Sequence, residues 1–282
     1  MGGERIHPDT SLGAVVLTVN DLDRMRRFYE RSIGLTVLAR DGGAVRMGPP
    51  GGDVLVELRG DPDAPERPPR TTGLFHLAIL TPSRLDLARA LMRVAESGWD
   101  LTGASDHLVS EALYLRDPEG NGIELYRDRP RDRWPTRDGV IEMATLPLDV
   151  QALAGELEGA DLPENGMAPA TRIGHVHLEV ADIPATEGFY DGRLGFDVTV
   201  GTYPGATFLS AGGYHHHIGA NTWGHARTQP PANAAGLAWF EIVLPSDEEL
   251  EKVAGRLDDA ERREGGVFTR DPSGNGILLR TR

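Results

Sequence analysis

Apolar and polar positions alternate along 12–19 (LGAVVLTV), a run rich in β-branched residues, which predicts a strand. Asn20 or Asp21 is placed to cap the helix that follows, and Gly34 to stop it. Within 82–98, Leu85, Ala88, Leu91, Met92 and Ala95 recur at helical spacing. Residues 117–122 read DPEGNG, a turn, and 123–126 a closing strand. Each stretch therefore reads as strand, helix, then short strands.

The pattern repeats. Gly13, Asp21, Phe28, Tyr29, Gly34 and Gly52 align with Gly174, Asp182, Phe189, Tyr190, Gly195 and Gly213 at one constant separation. A gap-free match of that length marks an internal duplication. GLFHLAILTPS (73–83) matches GLAWFEIVLPS (236–246), and DPEGNGIEL (117–125) matches DPSGNGILL (271–279), the later copy being shorter in its middle. Four modules follow, at about 10–60, 72–128, 171–222 and 235–282, in an A-B-A-B order. The expected organisation is an N-terminal half over 1–130, a structured linker over 131–170 with one helix-like stretch (LDVQALAGELEG), and a C-terminal half over 171–282.

Composition narrows the class. The chain of 282 residues is long enough for about two domains. No apolar run is long enough to span a bilayer, and the first residues lack an apolar signal region. Cysteine is absent, so neither a disulfide nor a thiolate metal site exists. A cytoplasmic location is the expectation. The net charge of −14 argues against nucleic acid, whose phosphates require Lys and Arg.

The strand–helix–strands module in four copies, with its D…FY…LGF and DPxGNGIEL signatures, resembles the vicinal oxygen chelate superfamily. That superfamily includes glyoxalases, bleomycin-resistance proteins and type I extradiol ring-cleaving dioxygenases. DHLVSEALYLRDPEGNGIELYRDRP (106–130) together with GGYHHHIGANTW (212–223) most resembles the catechol 2,3-dioxygenase branch. The resemblance implies an α+β fold of four βαβββ modules that pair into curved mixed sheets around a cleft. It also implies metal ligands at a fixed position on each module's first and last strands.

Mapped onto this chain, the first-strand positions are Ala14, His76, His175 and Trp239, and the last-strand positions roughly Glu57, Glu124, Ile218 and Leu278. Strand alternation would turn Phe75, Leu77 and Ile79 toward the helices and His76 and Ala78 toward the cleft. Ile123 and Leu125 would likewise face the helices and Glu124 the cleft. Ala14, Trp239, Ile218 and Leu278 cannot bind a metal. His76, Glu124 and His175 remain, with Glu57 spare. Two histidines and one carboxylate match the facial triad of non-haem Fe(II) oxygenases; Mn, Ni or Zn are the other candidates. This choice requires the second module to pair with the third. A one-plus-two pairing would instead gather Glu57, His76 and Glu124.

By the same resemblance His216 is the acid–base group, with His215 next, and Tyr114 bonds a substrate oxygen, with His107 beside it. An imidazole suits proton transfer because its pKa of ~6.5 lies near neutral pH. The implied reaction is Fe(II)-dependent extradiol cleavage of a catechol-type diol by O2. The implied partners are that diol and dioxygen, with neither nucleic acid nor membrane, and a homo-oligomer is compatible with the fold. The alternatives are another metal-dependent reaction of the glyoxalase or isomerase type, and a non-catalytic binder like the bleomycin-resistance proteins.

Overall fold

A computed structural model describes residues 4–160 and 166–282. The first repeat holds β1 (Ser11–Val19), α1 (Leu22–Phe28), β2 (Thr36–Asp41), β3 (Ala44–Gly48) and β4 (Val56–Gly60). The second holds β5 (Gly73–Leu80), α2 (Arg84–Glu96), β6 (Gly103–Asp106), β7 (Ser110–Arg116) and β8 (Gly122–Asp128). Between the halves come β9 (Thr136–Arg137), β10 (Val140–Ile141), β11 (Leu146–Pro147) and α3 (Val150–Ala154). The third repeat holds β12 (Arg172–Glu179), α4 (Ile183–Phe189), β13 (Asp197–Val200), β14 (Ala206–Ser210) and β15 (Ile218–Asn221). The fourth holds β16 (Gly236–Leu244), α5 (Asp247–Ala254), β17 (Glu261–Arg263), β18 (Gly266–Arg270) and β19 (Gly276–Thr281).

The helix starts follow from capping. Asp21 accepts from the Arg24 N–H at 2.9 Å and Asp182 from the Ala185 N–H at 2.7 Å, each satisfying an orphan donor of the first turn. Ser83 and Ser246 cap α2 and α5 in the same way. After α1 and α4 the chain runs through one π-helical turn and ends at Gly34 and Gly195, both at φ 90°. A left-handed exit of that kind suits glycine because it has no Cβ. One expectation is corrected. The buried face of α2 is Leu87, Ala88, Ala90 and Val94, while Leu85 and Met92 are half-buried and Ala95 is exposed. Two apolar stripes overlap at helical spacing on this alanine-rich helix, and the packed one is rotated from the one read off the sequence.

Nine strands form one sheet in the order β11-β6-β7-β8-β5-β12-β15-β14-β13. Eight form another in the order β17-β18-β19-β16-β1-β4-β3-β2, and β9 and β10 make a separate pair. The second and third repeats thus share one sheet, and the first and fourth the other, as a two-plus-three pairing requires.

The chain clusters into two compact units, over Met1–Leu17, Ala64–Phe75 and Gly174–Arg282, and over Thr18–Asp63 and His76–Ile173. Strands β1, β5 and β12 have residues in both. In the second unit, the fully buried Tyr29 donates its hydroxyl to Asp117 at 3.4 Å, fixing the first repeat's helix to the second repeat's turn. In the first unit, Tyr190 and Asp271 repeat the device at 3.2 Å. Each aspartate also accepts from the asparagine four residues on, Asn121 and Asn275, through backbone and side chain. The linker contributes β11, which pairs antiparallel with β6, and α3, capped by Asp149. Its stretch at 161–165 lies outside the described residues.

Candidate metal centre

In the second unit, β5 and β8 run parallel with Ala78 opposite Glu124, and β7 runs antiparallel to β8 with Tyr114 opposite Glu124. Directly paired residues share a face, and so do residues two apart. His76, Ala78, Glu124 and Tyr114 therefore stand on one face, while Leu77, Ile79, Ile123 and Leu125 are wholly buried on the other. Phe75 departs from its expected place. It is half-buried, with its ring 5.2 Å from His177 and 5.7 Å from Trp223. His76 Nε2 lies 3.0 Å from Glu124 Oε2, and both residues are buried, at 6% and 3% exposure. Burying these groups is costly unless each is paired or bound to a metal.

His107 and Tyr114 make one hydrogen-bonded chain. His107 Nδ1 lies 2.7 Å from the Ala144 carbonyl oxygen, and Nε2 lies 2.6 Å from the Tyr114 hydroxyl. A carbonyl only accepts, so Nδ1 carries the proton in the neutral ring. Nε2 is then an acceptor, and Tyr114 donates to it. The His76 and Tyr114 rings are 5.7 Å apart.

In the first unit, β12 carries His175, buried at 2% exposure, with Val176, Leu178 and Val180 fully buried on the opposite face. The ring of His216 lies 4.2 Å from that of His175, and His215 Nδ1 lies 2.8 Å from His216 Nδ1. One of these two nitrogens must donate and the other accept. His217 instead accepts the Ala211 N–H at 3.2 Å and packs on Tyr214, which marks it as a structural residue.

The register corrects one mapped position. Ile218 pairs with Val176, so it shares the helix-side face, and Gly219 pairs with His177. Gly219, not Ile218, is the third-repeat counterpart of Glu124. His216 reaches His175 by another route than strand alternation. Gly212 and Gly213 take φ of 59° and 66°, so the chain before β15 leaves the ladder and re-aims the imidazoles.

His76, Glu124 and His175 each offer one ligand atom, and these atoms lie within 4.8 Å of one another, all from buried residues. Two imidazole nitrogens and one carboxylate oxygen suit a divalent first-row metal, with coordination positions left open. The residues present fit such an ion.

Glu57 sits apart from this set. Arg46 donates to it at 2.8 Å and Arg59 at 2.6 Å. Burial alone would raise its pKa, but these two guanidinium bonds prevail and hold it below the ordinary value. His177, Phe208, Trp223 and Tyr203, which the sequence did not single out, form an aromatic cluster beside His216. Phe208 lies 4.9 Å from His216 and 5.8 Å from His177, and Trp223 lies 5.5 Å from His177. The signal for His177 was its place two residues beyond His175 on one strand face.

The chain matches the model of the glyoxalase/bleomycin resistance protein/dioxygenase superfamily over residues 11–125 and 172–279. It is 44% identical over 279 residues to the catechol-2,3-dioxygenase of Bacillus subtilis (strain 168), covering 95% of both chains. It is 30% identical over 129 residues to biphenyl-2,3-diol 1,2-dioxygenase 3 of Rhodococcus globerulus, covering 42% of this chain and 63% of that one. The fold superposes on glyoxalase I of Zea mays with a TM-score of 0.58 at 19% identity, over 96% of this chain and 92% of the other. Repeats, sheet order and sequence agreement together make this chain a member of the glyoxalase/bleomycin resistance protein/dioxygenase superfamily.

Proposed function

We propose that this chain is an Fe(II)-dependent extradiol dioxygenase that opens the ring of a catechol-type diol with O2. The observation that carries the reading is the buried group of His76, Glu124 and His175, with ligand atoms within 4.8 Å of one another. The 44% identity to a protein named for catechol cleavage supports this reaction among those the superfamily hosts. Bound at these three residues, iron supplies the redox chemistry between the diol and dioxygen.

The chain's own residues supply binding and proton transfer. His216, close to His175, takes the proton from a diol hydroxyl as the substrate binds, a role that requires its Nδ1 to be the donor in the bond to His215 so that Nε2 is the base. Tyr114, its own proton committed to His107, accepts a hydrogen bond from a substrate hydroxyl. Phe208 gives the aromatic ring an apolar wall beside His216. Substrate partners are thus an aromatic diol and O2. In domain terms the halves 1–130 and 171–282 both contribute, joined by the linker 131–170. A glyoxalase-type site built with Glu57 is disfavoured, because Arg46 and Arg59 hold that carboxylate.

The test is metal content and turnover. Protein loaded anaerobically with Fe(II) is expected to consume O2 with catechol and form a ring-opened semialdehyde. Glu124→Gln is expected to lose both iron and turnover. A variant that keeps wild-type iron and rate removes Glu124 from the site. Loaded wild-type protein inert to a panel of catechols overturns the reaction.

A further inference from the structure

A cavity of about 210 Å³ lies in the second unit, lined among others by Thr81, Asp86, Arg89, Arg93, Met167 and Thr171. None of the proposed metal or proton-transfer residues lines it. The volume far exceeds the ~15 Å³ that a single water needs. Two guanidiniums and one carboxylate give the lining a net positive charge in a chain of net charge −14.

The donors are arranged around that space. Arg89 and Arg93 stand one helical turn apart on α2, so their side chains lie on one face. Arg89 Nη1 pairs with Asp86 at 2.9 Å. Arg93 donates to the Gly166 carbonyl at 2.8 Å and to the Ile33 carbonyl at 3.4 Å. Carbonyls accept its protons but do not neutralise its charge, which Glu96 offsets only through space, and the bonds found among the described residues leave part of its five-proton fork for a ligand. The Thr171 hydroxyl is buried, with no hydrogen-bond partner among the described residues. A buried hydroxyl left so costs free energy unless a ligand or water completes it.

We propose that this cavity binds a small oxyanion, a phosphate or a short dicarboxylate, held by Arg89, Arg93 and Thr171. Planar guanidiniums recognise such oxygens in pairs. The proposal stands independently of the dioxygenase reading.

The test is calorimetric titration of the metal-loaded full chain with inorganic phosphate and with succinate, at ionic strength fixed by NaCl, with thermal shift in parallel. At least one anion is expected to bind and raise Tm above the chloride control. Arg89→Gln and Thr171→Val are each expected to weaken it, the arginine change by about tenfold or more, while leaving turnover and circular dichroism unchanged. Glu124→Gln is expected to keep wild-type anion affinity. The proposal fails if neither anion binds, if both cavity variants bind as tightly as wild type, or if Glu124→Gln abolishes binding and so places the anion at the metal.

Discussion

Asp117→Asn is a perturbation whose size can be worked from the structure. Asp117 is buried at 3% exposure in the turn that receives Tyr29. Desolvation raises its pKa from 3.8 to about 6, against the opposing bonds from Asn121 and the Glu119 N–H. The folded-state pKa thus exceeds the unfolded one, and the folded chain holds this proton more tightly. The resulting stabilisation is complete below pH 3.8 and is lost as pH rises through about 6. At about 1.4 kcal/mol per pH unit, the gap corresponds to about 3 kcal/mol. In the variant, Asn Oδ1 can still accept from the N–H groups of Glu119 and Asn121, at 3.0 and 2.9 Å in the wild type. Its amide nitrogen would face the Asn121 amide nitrogen, a clash independent of pH. The measurement is urea unfolding in steps from pH 4 to pH 7.5, with chelator, for both proteins. Other titrating groups cancel in the difference between them. Wild type is expected to lose about 2.5 kcal/mol more than Asp117→Asn across the window, a little short of the full gap because pH 4 lies above 3.8. Parallel curves refute the claim that burial of this carboxylate sets its pKa.

Glu57→Gln is expected to lower stability by only about 1 kcal/mol or less, because Arg46 and Arg59 are 42% and 46% exposed and solvent screens the pairs; its metal content, read by plasma mass spectrometry, is expected to equal wild type. His216→Gln is expected to retain the metal and lose about 10²-fold or more in kcat, with the corresponding limb of the pH–rate profile abolished; an unchanged profile moves the proton-transfer role elsewhere. Tyr114→Phe removes one acceptor for a substrate hydroxyl and is expected to cost about tenfold in kcat/KM. An unaltered value leaves Tyr114 a packing residue.

The repeats were legible because a βαβββ module marks itself locally, with capping aspartates, a left-handed glycine and a turn of fixed sequence. The triad was legible because duplication aligned its positions, so that a methyl at Ala14 could be weighed against an imidazole at His175. Register was less so. Strand alternation assigns a face only inside the ladder, and the two glycines before Ile218 break the count. Ile218 was therefore placed on the wrong face, while His216 reached its neighbour by a loop path that alternation cannot describe. The rotated stripe on α2 escaped for a related reason: alanine is apolar enough to complete either stripe, and tertiary packing chose between them.

The sheet shared by the first and fourth repeats shows why one sheet can be a metal site and the other not. Three of its four mapped ligand positions are apolar, and the acids at or beside them, Glu57 and Glu241, are already committed. Glu57 is clasped by two arginines. Glu241, which by alignment stands where the second repeat has Ala78, accepts the Ala14 N–H at 3.1 Å and pairs with Arg280 at 3.3 Å. A carboxylate bonded to a guanidinium must surrender that pair before it can ligate a cation, and the guanidinium left beside it repels the incoming ion. Glu124 differs, because the partner placed 3.0 Å from it is an imidazole, itself a metal ligand when neutral. An ion entering there replaces a His–Glu contact with two coordinate bonds and strands no charge. The physical distinction between the sheets is thus the identity of the carboxylate's partner as much as the count of histidines, and the expected metal content of these two sheets is one ion.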